Sequence, residues 1–320
     1  MKFLNHGLIR RGTAVLALAE SASMPPPCAT TQELLRAVVS KLQVPADALV
    51  SSDQLRSMCG LWSKDLCGQP LKEVGGSWER ALTEVLGMPI EPPPRRRGQK
   101  KVASPLFRVP PNNGAMWFDP RPPPPLHTEC LGELVDGCTV FLSNDPAACD
   151  TLIEQFGWLS AAHVGFDLEW TPTMVRGQET EVSLLQLATA DQCLLVRIGH
   201  WRSAPASTAT SQLPPVLASL LASDAPLKVG RGVRADAKLL RAQCGVEPSG
   251  VSELPGRANL KELARTQTSL RLPAGVQADK GWLTNWDARE LSQTALQYAA
   301  FDAVAAYEVH RANPLPPPRR

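Results

Sequence analysis

Apolar and polar positions alternate along His163–Trp170: Val164, Phe166 and Leu168 fall to one side, Gly165, Asp167 and Glu169 to the other. That period of two is the pattern of a strand packed on one face. Two more apolar runs, Val182–Ala188 and 193–198, follow after short connections. They predict three successive strands paired as antiparallel hairpins, with the acidic pair on the first. Upstream, the short apolar run 139–142 precedes Asp145-Pro146, an N-cap with proline at the first helical position, which predicts a helix to about Trp158. Downstream, a polar insertion at 202–211 leads to a helix over 213–221, a strand at Leu227–Gly230 expected parallel to the central one, and a helix at Val233–Cys244. The stretch 245–256 is rich in Gly, Pro and Ser and leaves its strand poorly defined. Ser292 then caps a final helix over about 293–311. Three antiparallel strands followed by alternating helices and strands make this region mixed α/β.

The periodicity before residue 136 is of another kind. Thr30 with Glu33, and Ser51 with Gln54, are spaced as capping boxes, and Ser77 precedes a third segment closed by Gly87, so 30–90 reads as a small helical module without visible chemistry. Its acids Asp47, Asp53 and Asp65 read as solvated surface groups. Pro92, Pro93 and Pro94 run into Arg95, Arg96 and Arg97, then Lys100 and Lys101, with more prolines at 110–111 and 122–125. Such a chain stays extended, so 91–135 is expected to be a linker, its basic cluster open to reading as a nuclear-import signal, a phosphate contact or plain solvated charge. Residues 1–29 contain no acid before Glu20 and three basic residues, a composition that suits either an organellar transit peptide or a disordered start. Residues 313–320 read as a disordered tail.

Composition changes this picture little. At 320 residues and 43% hydrophobic content, the chain can bury one substantial core and a small accessory domain. A formal charge of +2 argues neither for nor against a polyanionic partner. The eight cysteines form no CxxC pair, which fits reduced thiols in an intracellular protein. No apolar run reaches the length of a membrane span.

Candidate chemistry gathers at three places. Asp167 and Glu169 point to one side of their strand and repel each other, which calls for protonation, a basic partner or a divalent cation. Asp236 lies near the start of its helix, where a carboxylate also simply complements the dipole. In the last helix Tyr298 and Asp302 are one turn apart on a face lined by Ala295, Ala299, Ala305 and Ala306. Small residues let a helix approach a sheet closely, and an acid buried there needs a partner.

Gly165-Phe-Asp-Leu-Glu-Trp170, Val182-Ser-Leu-Leu-Gln-Leu187, Lys228-Val-Gly-Arg-Gly-Val-Arg-Ala-Asp236, Asn285-Trp286 and Tyr298-Ala-Ala-Phe-Asp-Ala303 together resemble the DEDDy class of 3′-5′ exonuclease domains. The motifs are most similar to the exonuclease domain of the Werner syndrome protein, and more distantly to ribonuclease D and the proofreading domains of family A DNA polymerases. The resemblance covers about 136–312. It implies a ribonuclease H-like fold, a mixed sheet of about five strands flanked by helices. It also implies that Asp167, Glu169 and Asp302 hold one divalent ion, that Asp167 bridges to a second reached by Asp236, and that Tyr298 orients the attacking water. The two ions would be Mg²⁺ or Mn²⁺, and the substrate the 3′ end of DNA or RNA, with nucleoside 5′-monophosphates released. Arg231, Arg234, Lys280 and Trp286 are lesser candidates for nucleic-acid contact, Trp286 reading first as packing and Lys280 as solvated. The competing function is a non-catalytic nucleic-acid-binding scaffold that reuses the fold. The motifs leave DNA against RNA, strandedness and protein partners open.

Overall fold

Most of the described helices begin where a side chain offers an oxygen to their first free amides. A computed structural model describes residues 28–41, 49–90, 104–108, 124–172, 181–201, 213–256, 258–273, 276 and 284–314. In the N-terminal module, the Thr30 hydroxyl accepts from Glu33 N while the Glu33 carboxylate accepts from Thr30 N, a closed capping box ahead of α1 (Thr31–Lys41). Ser51 and Gln54 do the same between β1 (Leu49–Ser51) and α2 (Ser52–Cys67), and Ser77 caps α3 (Trp78–Leu86). These elements enclose their own core of Leu34, Leu35, Val38, Leu55, Met58, Trp62 and Leu66.

The module also takes in chain expected to be linker. Leu106–Arg108 forms β2 and pairs antiparallel with β1, placing Phe107 in the module's core. A second segment from the same stretch, β3 (Thr128–Val135), pairs antiparallel with β4 (Cys138–Ser143) and belongs to the main sheet. The prolines at 124 and 125 end just before β3, so backbone donors are again available where the strand begins. The Arg95 cluster and residues 1–27 lie outside the described residues.

Seven strands form the main sheet, in the order β3, β4, β7 (Gln192–Val196), β6 (Val182–Ala188), β5 (His163–Trp170), β8 (Leu227–Gly230), β9 (Val251–Glu253). β6 lies between β5 and β7 and is antiparallel to both, while β8 runs parallel to β5. The count exceeds the expected five by the two edges, β3 and β9. Neither carries an apolar alternation to announce it: β3 has Val135 as its one buried residue, and β9 has three residues with only Ser252 buried.

Alternation along the strands assigns the two faces. Val164, Phe166, Leu168, Leu185, Leu187, Leu194 and Val196 point to one side, covered by α4 (Pro146–Gln155), α6 (Pro215–Ala222) and α7 (Val233–Cys244), with the one-turn α5 (Ile198–Trp201) leading from β7. Asp145 caps α4 by accepting from Ala147 N and Ala148 N. Val140, Leu142, Leu184 and Leu195 point to the other side, covered by α8 (Leu260–Gln267) and α9 (Gln293–Ala312). Among the described residues no helix is long and apolar enough to cross a membrane, and none of the eight cysteines is in a disulfide, all being buried but Cys130.

Candidate active site

Because Val164, Phe166 and Leu168 take one face of β5, Asp167 and Glu169 must take the other, beneath α9. α9 can come close because its inner surface is small: Ala299, Ala303 and Ala306 are wholly buried. Gly165 completes the fit, since a Cβ there would run into the carbonyl oxygen of Ala303. This close approach carries Asp302 to the β5 carboxylates. One oxygen from each of Asp167, Glu169 and Asp302 lies within 4.8 Å of the others.

Asp236 arrives from the opposite layer. It sits in the first turn of α7 behind Gly232, whose left-handed φ of 80° turns the chain out of β8 into the helix. Asp236 is buried and its charge acts on both Asp167 and Glu169, but its oxygens stand outside the 4.8 Å group. Tyr298, one turn before Asp302, faces that carboxyl.

Four acids at such proximity resist ionisation. Burial pushes Asp167 well above the ordinary carboxylate range, and Glu169, Asp302 and Asp236 add repulsion. Glu169 rises for the same first reason, reinforced by Asp302 and Asp236 and opposed by Lys261. Burial lifts Asp302 to about 6 against the pull of Lys261 and Tyr298, and burial with the Glu253 charge lifts Asp236 to about 7. Burial foremost also raises the Tyr298 phenol, which therefore stays protonated at neutral pH.

The donor set fits a hard divalent cation. It consists of carboxylate oxygens, and Asp302 Oδ1 is buried without a hydrogen-bond partner, an arrangement whose cost a cation removes. Asp167, Glu169 and Asp302 would hold it, with Asp236 beside them.

Two further residues at the site were not singled out among the sequence candidates. Lys261, near the start of α8, places its ammonium 4.2 Å from the centre of the Tyr298 ring, a cation–π contact, while acting on Glu169 and Asp302. Gln186 lies directly across from Asp167 in the β5–β6 register, wholly buried with its amide atoms unpartnered. The only hint of it was an amide inside an apolar run.

The lesser candidates divide differently. Arg231 donates to the carbonyls of Leu254 and Gly256, 2.6 Å each, and lies beside Glu253, so its guanidinium fastens the end of β9 instead of facing a phosphate. Trp286 is completely buried in the α9-side core, which leaves no face for a base; packing is its role. Arg234 is exposed on α7. Lys280 lies outside the described residues.

Residues 143–312, more than half of the chain, match the 3′-5′ exonuclease family, and the chain belongs to it. It is 28% identical over 189 residues to the human exonuclease mut-7 homolog, covering 52% of this chain and 22% of that protein. It is 31% identical over 160 residues to the fruit-fly exonuclease 3′-5′ domain-containing protein 2, covering 46% and 24%, and 29% identical over 159 residues to a 3′-5′ exonuclease of Arabidopsis thaliana, covering 47% and 52%. The chain thus spans from under a quarter to about half the length of these relatives. Among solved structures, the EXD2 exonuclease domain soaked in Mn and dGMP aligns at 27% identity and a TM-score of 0.30, covering 54% of this chain and 87% of that one.

Proposed function

We propose that the chain is a metal-dependent 3′-5′ exonuclease that hydrolyses the terminal phosphodiester of DNA or RNA and releases nucleoside 5′-monophosphates. The observation that carries this reading is the convergence of Asp167, Glu169 and Asp302 from two separate elements to within 4.8 Å, at high electrostatic cost, around an unpartnered carboxylate oxygen. A scaffold has no use for acids that destabilise it when no cation is held.

Two divalent ions, Mg²⁺ or Mn²⁺, would supply a hydroxide at neutral pH and charge stabilisation for the departing 3′ oxygen. The chain's own groups do the rest. Asp167, Glu169 and Asp302 fix the cation side of the pocket, and Asp236 adds a carboxylate from α7. Tyr298, neutral and anchored on α9, orients the attacking water through its hydroxyl. Lys261 holds the Tyr298 ring and offers positive charge towards the substrate phosphate.

The test is shortening of a 5′-labelled oligonucleotide from its 3′ end, with and without Mg²⁺ or Mn²⁺. Asp167→Ala and Asp302→Ala should each lower the rate by more than about 100-fold, since even groups that merely orient metal ligands cost up to that much. Equal degradation by wild type and variants refutes the site. Matched DNA and RNA substrates resolve the sugar. For location, we read the acid-poor first segment as an organellar signal or the Arg95 cluster as a nuclear one; deleting each from a fluorescent fusion separates them.

A further inference from the structure

A cavity of about 640 Å³ opens along α8, between that helix and the returning segment 268–272. Its size is that of a ligand site. Phe301, buried on α9 directly before Asp302, lines it together with Leu270 and Leu272. Lys261, Arg265 and Arg271 bring three positive charges to its wall, against Glu262 as the one acid among the lining residues. The carboxylates are not part of the cavity. Lys261 joins the two places, for it lines the cavity while its ammonium covers the Tyr298 ring. Arg265 follows one turn further along α8, about 6 Å from Lys261 along the axis. Both arginines are exposed.

A cationic trough joined to Tyr298 through Lys261, with Leu270, Leu272 and Phe301 as its apolar part and Thr268 and Ser269 also lining it, suits a sugar–phosphate backbone. We infer that the α8 cavity seats the backbone of the nucleotides immediately 5′ of the one being removed, with Arg265 and Arg271 contacting its phosphates. This rests on the exonuclease reading for its substrate class. Because the contacts go to phosphates, they apply to DNA and RNA alike and carry no sequence preference.

Two substrates separate the cavity from the chemistry. The p-nitrophenyl ester of thymidine 5′-monophosphate has a scissile phosphodiester but no upstream nucleotide, whereas a single-stranded oligonucleotide has both. The full chain carrying Arg265→Gln and Arg271→Gln together should hydrolyse the ester at the wild-type rate, while its KM for the oligonucleotide rises about tenfold. Anisotropy of the labelled oligonucleotide in Ca²⁺ should show the same loss of affinity, with the slope of log K against log salt reduced by about 0.7 for each arginine removed. Unchanged affinity and salt slope overturn the inference, as does an equal loss on the ester. If wild type cleaves neither substrate, the exonuclease reading fails, and the binding arm still decides whether these arginines hold a nucleic-acid backbone.

Discussion

At Asp302, burial draws the carboxyl towards its neutral form while Lys261 draws it back, and the balance leaves it at about 6. Asp236 reaches about 7. Both exceed the ordinary value of 3.8, so the folded, metal-free protein binds more protons than the unfolded chain across the interval between. Stability is therefore full at the acid end of that interval and is lost as pH rises through about 6 and 7. The metal-free protein should melt several degrees lower at about pH 8 than at about pH 5. Mn²⁺ should flatten that dependence, because it binds the ionised acids and releases their protons. Calorimetry with and without EDTA checks both halves, and a flat metal-free profile contradicts the assignment. Tyr298 makes a separate case. Tyr298→Phe keeps the ring under Lys261 but removes the hydroxyl, so kcat should fall by about 10²-fold while Mn²⁺ affinity holds; titration calorimetry beside the rate assay distinguishes the two. The three acids that converge, Asp167, Glu169 and Asp302, could be singled out in the sequence, because each sits in a short pattern whose neighbours share its element. Lys261 could not be, since nothing in its neighbourhood marks it off from other helix-surface lysines, and its place over Tyr298 arises only when α8 packs on α9.

The contact between β5 and α9 is where element packing becomes site geometry. Asp167 and Glu169 belong to one, Tyr298 and Asp302 to the other, and their spacing is set by how closely the two approach. Gly165→Ala should push α9 outward from Ala303, costing about 1–3 kcal/mol in urea denaturation, the usual range for overpacking. Activity should fall further than stability explains, because the same shift carries Asp302 away from β5; a variant with wild-type activity would show that the helix can yield without moving the acids. The three hairpin strands, the parallel β8, α7 and α9 could all be read from periodicity and caps. They are central elements, buried on both faces or on one complete stripe. β3 and β9 escaped because edge strands draw their order from the neighbour's hydrogen bonds, which leave no hydrophobic trace: β3 follows β4 through six paired positions while burying only Val135.

Across the whole molecule, the N-terminal module does more than its sequence advertised. Asp65, expected as a solvated acid, accepts from Arg289 N at 2.9 Å, and Asn285 Nδ2 donates to Leu61 O at 3.3 Å. The loop they grip leads directly into α9. From the other side, Asn285 Oδ1 accepts from Thr171, two residues beyond Glu169, and the buried Arg197 donates to the carbonyls of Trp286 and Ala288. The module therefore braces the segment that holds the third motif against the end of β5, a long-range tie that no local pattern encodes. Asp65→Ala removes one such bond without touching Asp167, Glu169, Asp236 or Asp302, at a cost of about 1 kcal/mol. Local opening of the loop should then become about fivefold more frequent, read as faster amide exchange over 286–290, while exchange in β6 and β7 stays at the wild-type rate. Exchange that rises equally throughout the sheet would mean that Asp65 serves general stability; no change at all would mean that α9 is held by its own packing and the module does not support it.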